Sequence, residues 1–189
     1  MSVSFQGHGI EKPFSAQHYL RQGILYKNVS MMKKIIVFLS VICASGLVMV
    51  TIYNLIVDAK SWSSDIPASI KTVRDYYKHV DPRNFFAIVA PINMILIVLS
   101  IILFWKDSFS IRTYFCISFF LYAIIAALTF VYFIPRDMII FTAPIEGHTE
   151  QIKTALSQWK NMNWLRTLLG LAGVMFTIKG IDRFYKTHS

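Results

Sequence analysis

The sequence predicts an all-α membrane protein: a four-transmembrane-helix antiparallel bundle with two helical outer loops. Three observations carry that reading. Of 189 residues, 55% are hydrophobic and only 15% are charged, against about a quarter charged in an ordinary soluble domain. Four stretches stay apolar over the about 20 residues that a helix needs to cross roughly 30 Å of hydrocarbon. The net charge of +9 is divided unevenly along the chain. This composition excludes a disordered chain, which needs low hydrophobicity and high charge. The length fits one domain.

The four spans lie at about 35–57, 85–105, 114–134 and 162–181, within a single domain over residues 32–186. The first three are uncharged; the fourth carries Arg166 and Lys179. In lipid the backbone must satisfy its own hydrogen bonds, so each span is helical. Lys33 and Lys34 precede the first span, and Trp105 and Lys106 close the second. Tyr132 stands near the end of the third, with Trp159 and Trp164 around the start of the fourth. Such aromatic and basic residues anchor at headgroup depth. The pairs Ser40/Ala44, Ala123/Ala127 and Gly173/Thr177 have the small-xxx-small spacing of close helix packing. Residues 1–31 show no apolar period, and Met31-Met32-Lys33-Lys34 before Ile35 reads as a membrane-protein start. A disordered tail or an upstream mis-start is expected there.

Charge sets the orientation. With the N-terminus inside, the inner segments hold 10 Lys+Arg and 3 acids, a net of +7. The outer segments hold 8 and 7, a net of +1, and Arg166 stands apart from both. Cytoplasmic loops carry the basic excess, so both termini are expected on the cytoplasmic side of a multi-pass protein of the cell or inner membrane. The basic charge then serves topology, and no nucleic acid is implied.

The connection Lys106–Thr113 makes an antiparallel hairpin of the second and third spans. The other two, Asp58–Asn84 and Pro135–Asn161, are 27 residues each and lie on the outer side. In the first, Ser64 or Asp65 can cap a short helix with Pro67 in its opening turn. Ile66, Ile70, Val73 and Tyr77 give it one apolar face. In the second, Thr149 can cap a helix whose stripe Ile152, Leu156, Trp159, Asn163, Arg166, Gly170 runs unbroken into the fourth span.

Polar residues inside a bilayer are costly and mark function by default. Here they share a depth. Asn54 and Asp58 end the first span outside, Asn93 follows Pro91 in the outer half of the second, Tyr132 ends the third, and Asn163 and Arg166 begin the fourth. Two arrangements fit. In one, a polar pocket binds a small hydrophobic ligand, with Arg166 as its cation and Asp58 as the counter-charge. In the other, Asp58 and Arg166 pair and the asparagines join helices by hydrogen bonds, as in a structural or interaction subunit.

Other chemistries lack their residues. Cys43 and Cys116 stand alone on separate spans, so no Cys-x-x-Cys relay exists. The five histidines lie outside the spans, which leaves no haem or di-metal ligand set. Glu146, His148 and Glu150 in a loop do not make a metal site. No phosphate loop or nucleophile elbow occurs. No cofactor and no metal is expected.

Three segments carry a family resemblance. Tyr53-Asn54-Leu55-Ile56-Val57-Asp58 with Trp62, then Phe85-Phe86 with Pro91-x-Asn93, then Trp159-x-x-x-Asn163-x-x-Arg166 resemble the anthrone oxygenase-like four-helix membrane family. The likeness covers about Met32 to Tyr185. Most such proteins have no assigned function; some are similar to enzymes that oxidise an anthrone to an anthraquinone with O₂, without metal or flavin. The resemblance implies Arg166 as oxyanion stabiliser, Asn163, Asn93 and Asn54 as orienting groups, Trp159 as a stacking surface and Asp58 as base.

The topology is testable with reporter fusions. A fusion at residue 70 is expected to report the outside and one at residue 110 the inside; an outside signal at 110 reverses the orientation.

Overall fold

The structure, a computed structural model, describes residues 16–188, with side chains from position 30 to 187. The described residues contain helices and turns and no strand. Four helices are long and apolar enough to cross a membrane: Ser30–Trp62, Arg83–Leu103, Phe109–Thr142 and Thr149–Thr187. In finer division these are α1 (Ala16–Tyr53) and α2 (Ala59–Trp62), joined by a π-helical turn at Asn54–Asp58; α4 (Arg83–Leu103); α5 (Phe109–Leu128) and α6 (Ile134–Thr142), joined by a π-helical turn at Thr129–Phe133; and α7 (Thr149–His188). A short helix, α3 (Ala68–Tyr77), lies between the first two spans. The spans form a ring in chain order, α1 beside α4, α4 beside α5, α5 beside α7 and α7 beside α1.

The seam of α5 with α7 shows why the small residues are where they are. Gly173 lies under the ring of Tyr122, so close that a β-carbon there would stand 2.6 Å from the ring. Tyr122 donates its hydroxyl to the Gly170 carbonyl at 3.2 Å. One turn further, the Ser118 and Thr177 hydroxyls meet at 2.8 Å and both reach the Gly173 carbonyl. Every polar atom of this seam is therefore paired within it. Ser40 and Ala44 are likewise fully buried. Ala123 and Ala127 are not: they are half-buried and exposed, and Ser118 and Tyr122 take the helix-facing positions on α5.

The hairpin end is closed by Phe104, Phe115 and Phe184, with Val37 and Ile111. Lys33 pairs with Asp107 there at 2.6 Å, and its ammonium also lies 5.0 Å from the Phe104 ring.

The opposite end differs from expectation. Three of the four spans run well past the about 20 residues a bilayer core needs, with 33, 34 and 39 residues. The loop expected over 135–161 is helical on both sides of a short turn at 143–148. Pro135 reads in sequence as a stop, but it falls in the first turn of α6, where a missing N–H breaks no bond. Gly147, at φ 77°, makes the turn before α7 in a conformation that glycine adopts without steric cost. The first connection is also shorter than expected, since α1 continues through α2 to Trp62.

These overshooting ends pack on one another. Trp62, Ile70, Phe133, Ile140, Ile152 and Trp159 form one buried cluster. The expected face of α3 joins it: Ile70 is fully buried, with Ile66, Val73 and Tyr77 packed alongside. Neither Ser64 nor Asp65 caps α3; Pro67 precedes it without a side-chain cap. The bundle thus carries a roof at one end. At its N-terminal end the chain is helical from Ala16 and continuous with the first span, as expected where a formed helix propagates more cheaply than a new one nucleates. The tail expected over 1–31 is therefore helical in its second half, and its first half lies outside the described residues.

Gly173→Ala is expected to destabilise the protein by about 1–3 kcal/mol, as overpacking does when a locked ring must move. Thermal unfolding in detergent checks this; an unchanged midpoint would show that Tyr122 yields freely.

Candidate functional site

The polar residues singled out in the sequence lie in the roofed half of the bundle, in separate places. About 20 residues, or roughly 30 Å, from the hairpin-end anchors Lys34, Trp105, Arg112 and Lys179 the hydrocarbon ends near Asn54, Phe85, Tyr132 and Trp159. The contacts agree with this level, since the Phe133 and Trp159 rings lie 5.9 Å apart and the Asn163 amide donates to the Thr51 carbonyl at 3.3 Å.

Below that level lie Asn163, Arg166 and Asn93. Asn163 is fully buried, Asn93 is 1% exposed and Arg166 is 9% exposed. Their depths follow from their neighbours. Asn93 stands one turn toward the roof from Ile97, which packs with Ala44 and Tyr122. Asn163 stands at Thr51, seven residues from Ala44 on the first span. Arg166 lies between, one turn from Asn163. The three occupy about two helical turns in the interior.

Arg166 extends toward the roof. Its guanidinium sits 4.1 Å from the Phe133 ring centroid, 5.7 Å from that of Trp159 and 5.9 Å from that of Phe86. Because Phe86 belongs to the span diagonal to α7, the arginine head crosses the bundle axis. The carboxylate whose charge acts on it is Asp137, although no ion pair joins the two among the described residues.

That corrects the expected pairing of Arg166 with Asp58. No ion pair joins them. With its amide nitrogen turned to the acceptors, Asn54 donates to Asp58 Oδ2 at 2.9 Å and to the Val50 carbonyl at 3.1 Å. Asp58 is half-buried and faces the Tyr77 side of the roof. Asn54 and Asp58 are thus a pair of their own, held by the π-helical turn that contains both. Tyr132 is also apart. Its hydroxyl donates to the Gln158 carbonyl at 3.3 Å, and the Arg136 guanidinium stacks on its ring at 3.4 Å. Trp159 is buried between Trp62 and Phe133.

Sequence reasoning missed Phe133, Phe86 and Asp137 as members of the site. Phe133 and Asp137 are one turn apart across Pro135, and ending the third span at the proline hid their common face.

The unusual feature is what these side chains lack. Among the described residues five buried side-chain polar atoms have no hydrogen-bond partner: Ser40 Oγ, both amide atoms of Asn93, Asn163 Oδ1 and Arg166 Nε. Four of the five lie on Asn93, Asn163 and Arg166. Buried polar groups are otherwise nearly always paired, and each orphan costs about 1–3 kcal/mol. The set contains donors on Arg166 and Asn93 and acceptors on Asn93 and Asn163. No group of three or more metal-ligating side chains occurs among the described residues.

The roof over this group is pinned by Arg74, which donates from Nε to the Ile140 carbonyl at 2.9 Å and from Nη1 to the Ala143 carbonyl at 2.7 Å. These are carbonyls at the end of α6, which its own helix leaves unpaired. Tyr77 lies in the same roof, its hydroxyl proton held more tightly than usual by burial and by the nearby charges of Asp58, Asp81 and Asp137.

Compared with known proteins, the chain matches no protein-family model, no curated protein and no solved structure.

Arg74→Met is expected to cost about 2–3 kcal/mol, the scale of lost charge-assisted hydrogen bonds, and to speed amide exchange over residues 139–148 first. Exchange that rises uniformly through the chain instead would show that the roof is not a separate unit.

Proposed function

We propose that this multi-pass membrane protein, with both termini on the cytoplasmic side, binds a small hydrophobic molecule inside the bundle, its polar end held by Arg166, Asn93 and Asn163. One observation supports the reading: the concentration of unpaired buried polar atoms on these three residues. An unpaired donor or acceptor in hydrocarbon is destabilising unless something else completes it. The complement is specific. Arg166 Nε and Asn93 Nδ2 require acceptors, while Asn93 Oδ1 and Asn163 Oδ1 require donors. A hydroxyl beside a carbonyl or carboxylate offers both. Phe133, Phe86 and Trp159 give a flat apolar body its contact surface.

A second reading, cofactor-independent oxygenation of the anthrone oxygenase type, is favoured by Asp137. A carboxylate whose charge acts on Arg166 supplies a base at the same end of the bundle as a cation suited to an enolate oxygen. In this reading Asp137 takes the role that the resemblance assigned to Asp58. Retention of ligand by an Asp137→Asn variant without turnover would separate the two readings.

Asn93→Leu tests the binding reading. In protein stripped of small molecules it removes two unpaired atoms, so the unfolding midpoint is expected to rise, by the equivalent of about 1–3 kcal/mol. Native mass spectrometry of gently solubilised protein is expected to show a bound organic molecule in the wild type and none in Asn93→Leu or Arg166→Ala. A lowered midpoint, together with no bound mass in the wild type, would make these residues helix-joining groups and overturn the proposal.

A further inference from the structure

A cleft lies on the flank of the roof, away from Asn93, Asn163 and Arg166. It has a volume of about 340 Å³, with a floor of Ala59, Ile66 and Leu156 and a rim of Lys153, Ser157 and Lys160. The remaining lining residue, Ser63, has its hydroxyl donated to the Ala59 carbonyl at 2.7 Å. We propose that this cleft binds the phosphate-bearing headgroup of an anionic glycerophospholipid in the leaflet on the roofed side.

The charge is one-sided. No carboxylate lines the cleft. Lys153 and Lys160 are seven residues apart on α7, two turns along one face, with Ser157 between them. Lys153 holds Glu150 at 2.8 Å in a pair whose side chains are 49% and 84% exposed; a pair so open to water is weak and yields to a phosphate. Lys160 makes no ion pair or hydrogen bond among the described residues. Two ammonium groups and a hydroxyl over an apolar floor match a phosphodiester joined to a glycerol and its acyl chains.

The depth is also that of a headgroup. Lys160 follows Trp159, where the hydrocarbon ends, and Ala59 stands one turn beyond Leu55 on the facing helix. The headgroup layer occupies about the next 5–7 Å on each side of the bilayer core. A cleft at this level opens sideways into the layer where phosphates lie, and its volume falls within the range of small-molecule sites.

The full-length protein in detergent is challenged with phosphatidylglycerol or phosphatidylcholine of identical acyl chains, and retained lipid is measured by native mass spectrometry. The wild type is expected to retain phosphatidylglycerol roughly tenfold better, since each lysine near a membrane surface contributes a severalfold preference for anionic lipid. In Lys153→Ala/Lys160→Ala the ratio is expected to fall to about one. Ser157→Glu, which puts a carboxylate in the cleft, is expected to do the same, and covers the case in which the double variant folds poorly. Lys71→Ala, exposed on α3 and outside the cleft, should leave the ratio unchanged. Equal retention of the two lipids by the wild type would overturn the proposal. So would an undiminished ratio in both cleft variants, or displacement of phosphatidylglycerol by millimolar inorganic phosphate, which would reveal a site for a free anion.

Discussion

A peptide group in hydrocarbon has no water to bond, and the rest of this structure depends on how the chain meets that requirement. Its four spans stay helical across the bilayer, so backbone donors and acceptors are satisfied locally. Where a proline falls close to the membrane boundary, a π-helical turn at Thr129–Phe133 precedes it and the helix resumes at Ile134. A second π-helical turn, at Asn54–Asp58, sits near the same depth on the diagonal span. Both turns flank the level of Arg166, and such turns recur at functional sites.

With the backbone satisfied, side chains distinguish the two ends. At the hairpin end and along the α5–α7 seam, polar groups find one another: Lys33 with Asp107, Ser118 with Thr177, Tyr122 with Gly170. At the roofed end both amide atoms of Asn93, the Asn163 amide oxygen and Arg166 Nε do not, although the Asn163 amide nitrogen reaches Thr51. The contrast lies within one molecule of uniform composition, so poor packing in general does not account for it. The roof deepens the contrast. By closing over Arg166 with Trp159, Phe133 and Phe86, it denies the guanidinium the route to water that a long side chain near a helix end ordinarily takes.

The bundle and the stripe on α7 were legible in the sequence because both rest on periodicity. Ile152, Leu156, Trp159, Asn163 and Arg166 recur every three or four residues, and all are buried. The overshoot of the third helix was not legible, because a proline inside an apolar run is the ordinary sign of a stop. With α6 hidden, Asp137 is hidden too, and Asp58 is the carboxylate that the sequence places near the depth of Arg166. Asp58 is at a suitable depth but turned to Asn54, and a direction around the helix axis depends on a π-helical turn that no local residue pattern announces. Depth could be read from position in a span; azimuth beyond such a turn could not.

The same turn has a consequence for how this chain tolerates change in length. A π-helical turn spends one residue more than an α-helical one to close its hydrogen bond. Removing one residue from Asn54–Asp58 can convert it to regular α-helix while the segments before and after keep the faces they present. The same deletion elsewhere in that helix would rotate everything beyond it by about 100° and carry Trp62 out of the roof. The molecule therefore has built-in slack at the two junctions between membrane and roof, and single-residue gain or loss should be borne there first.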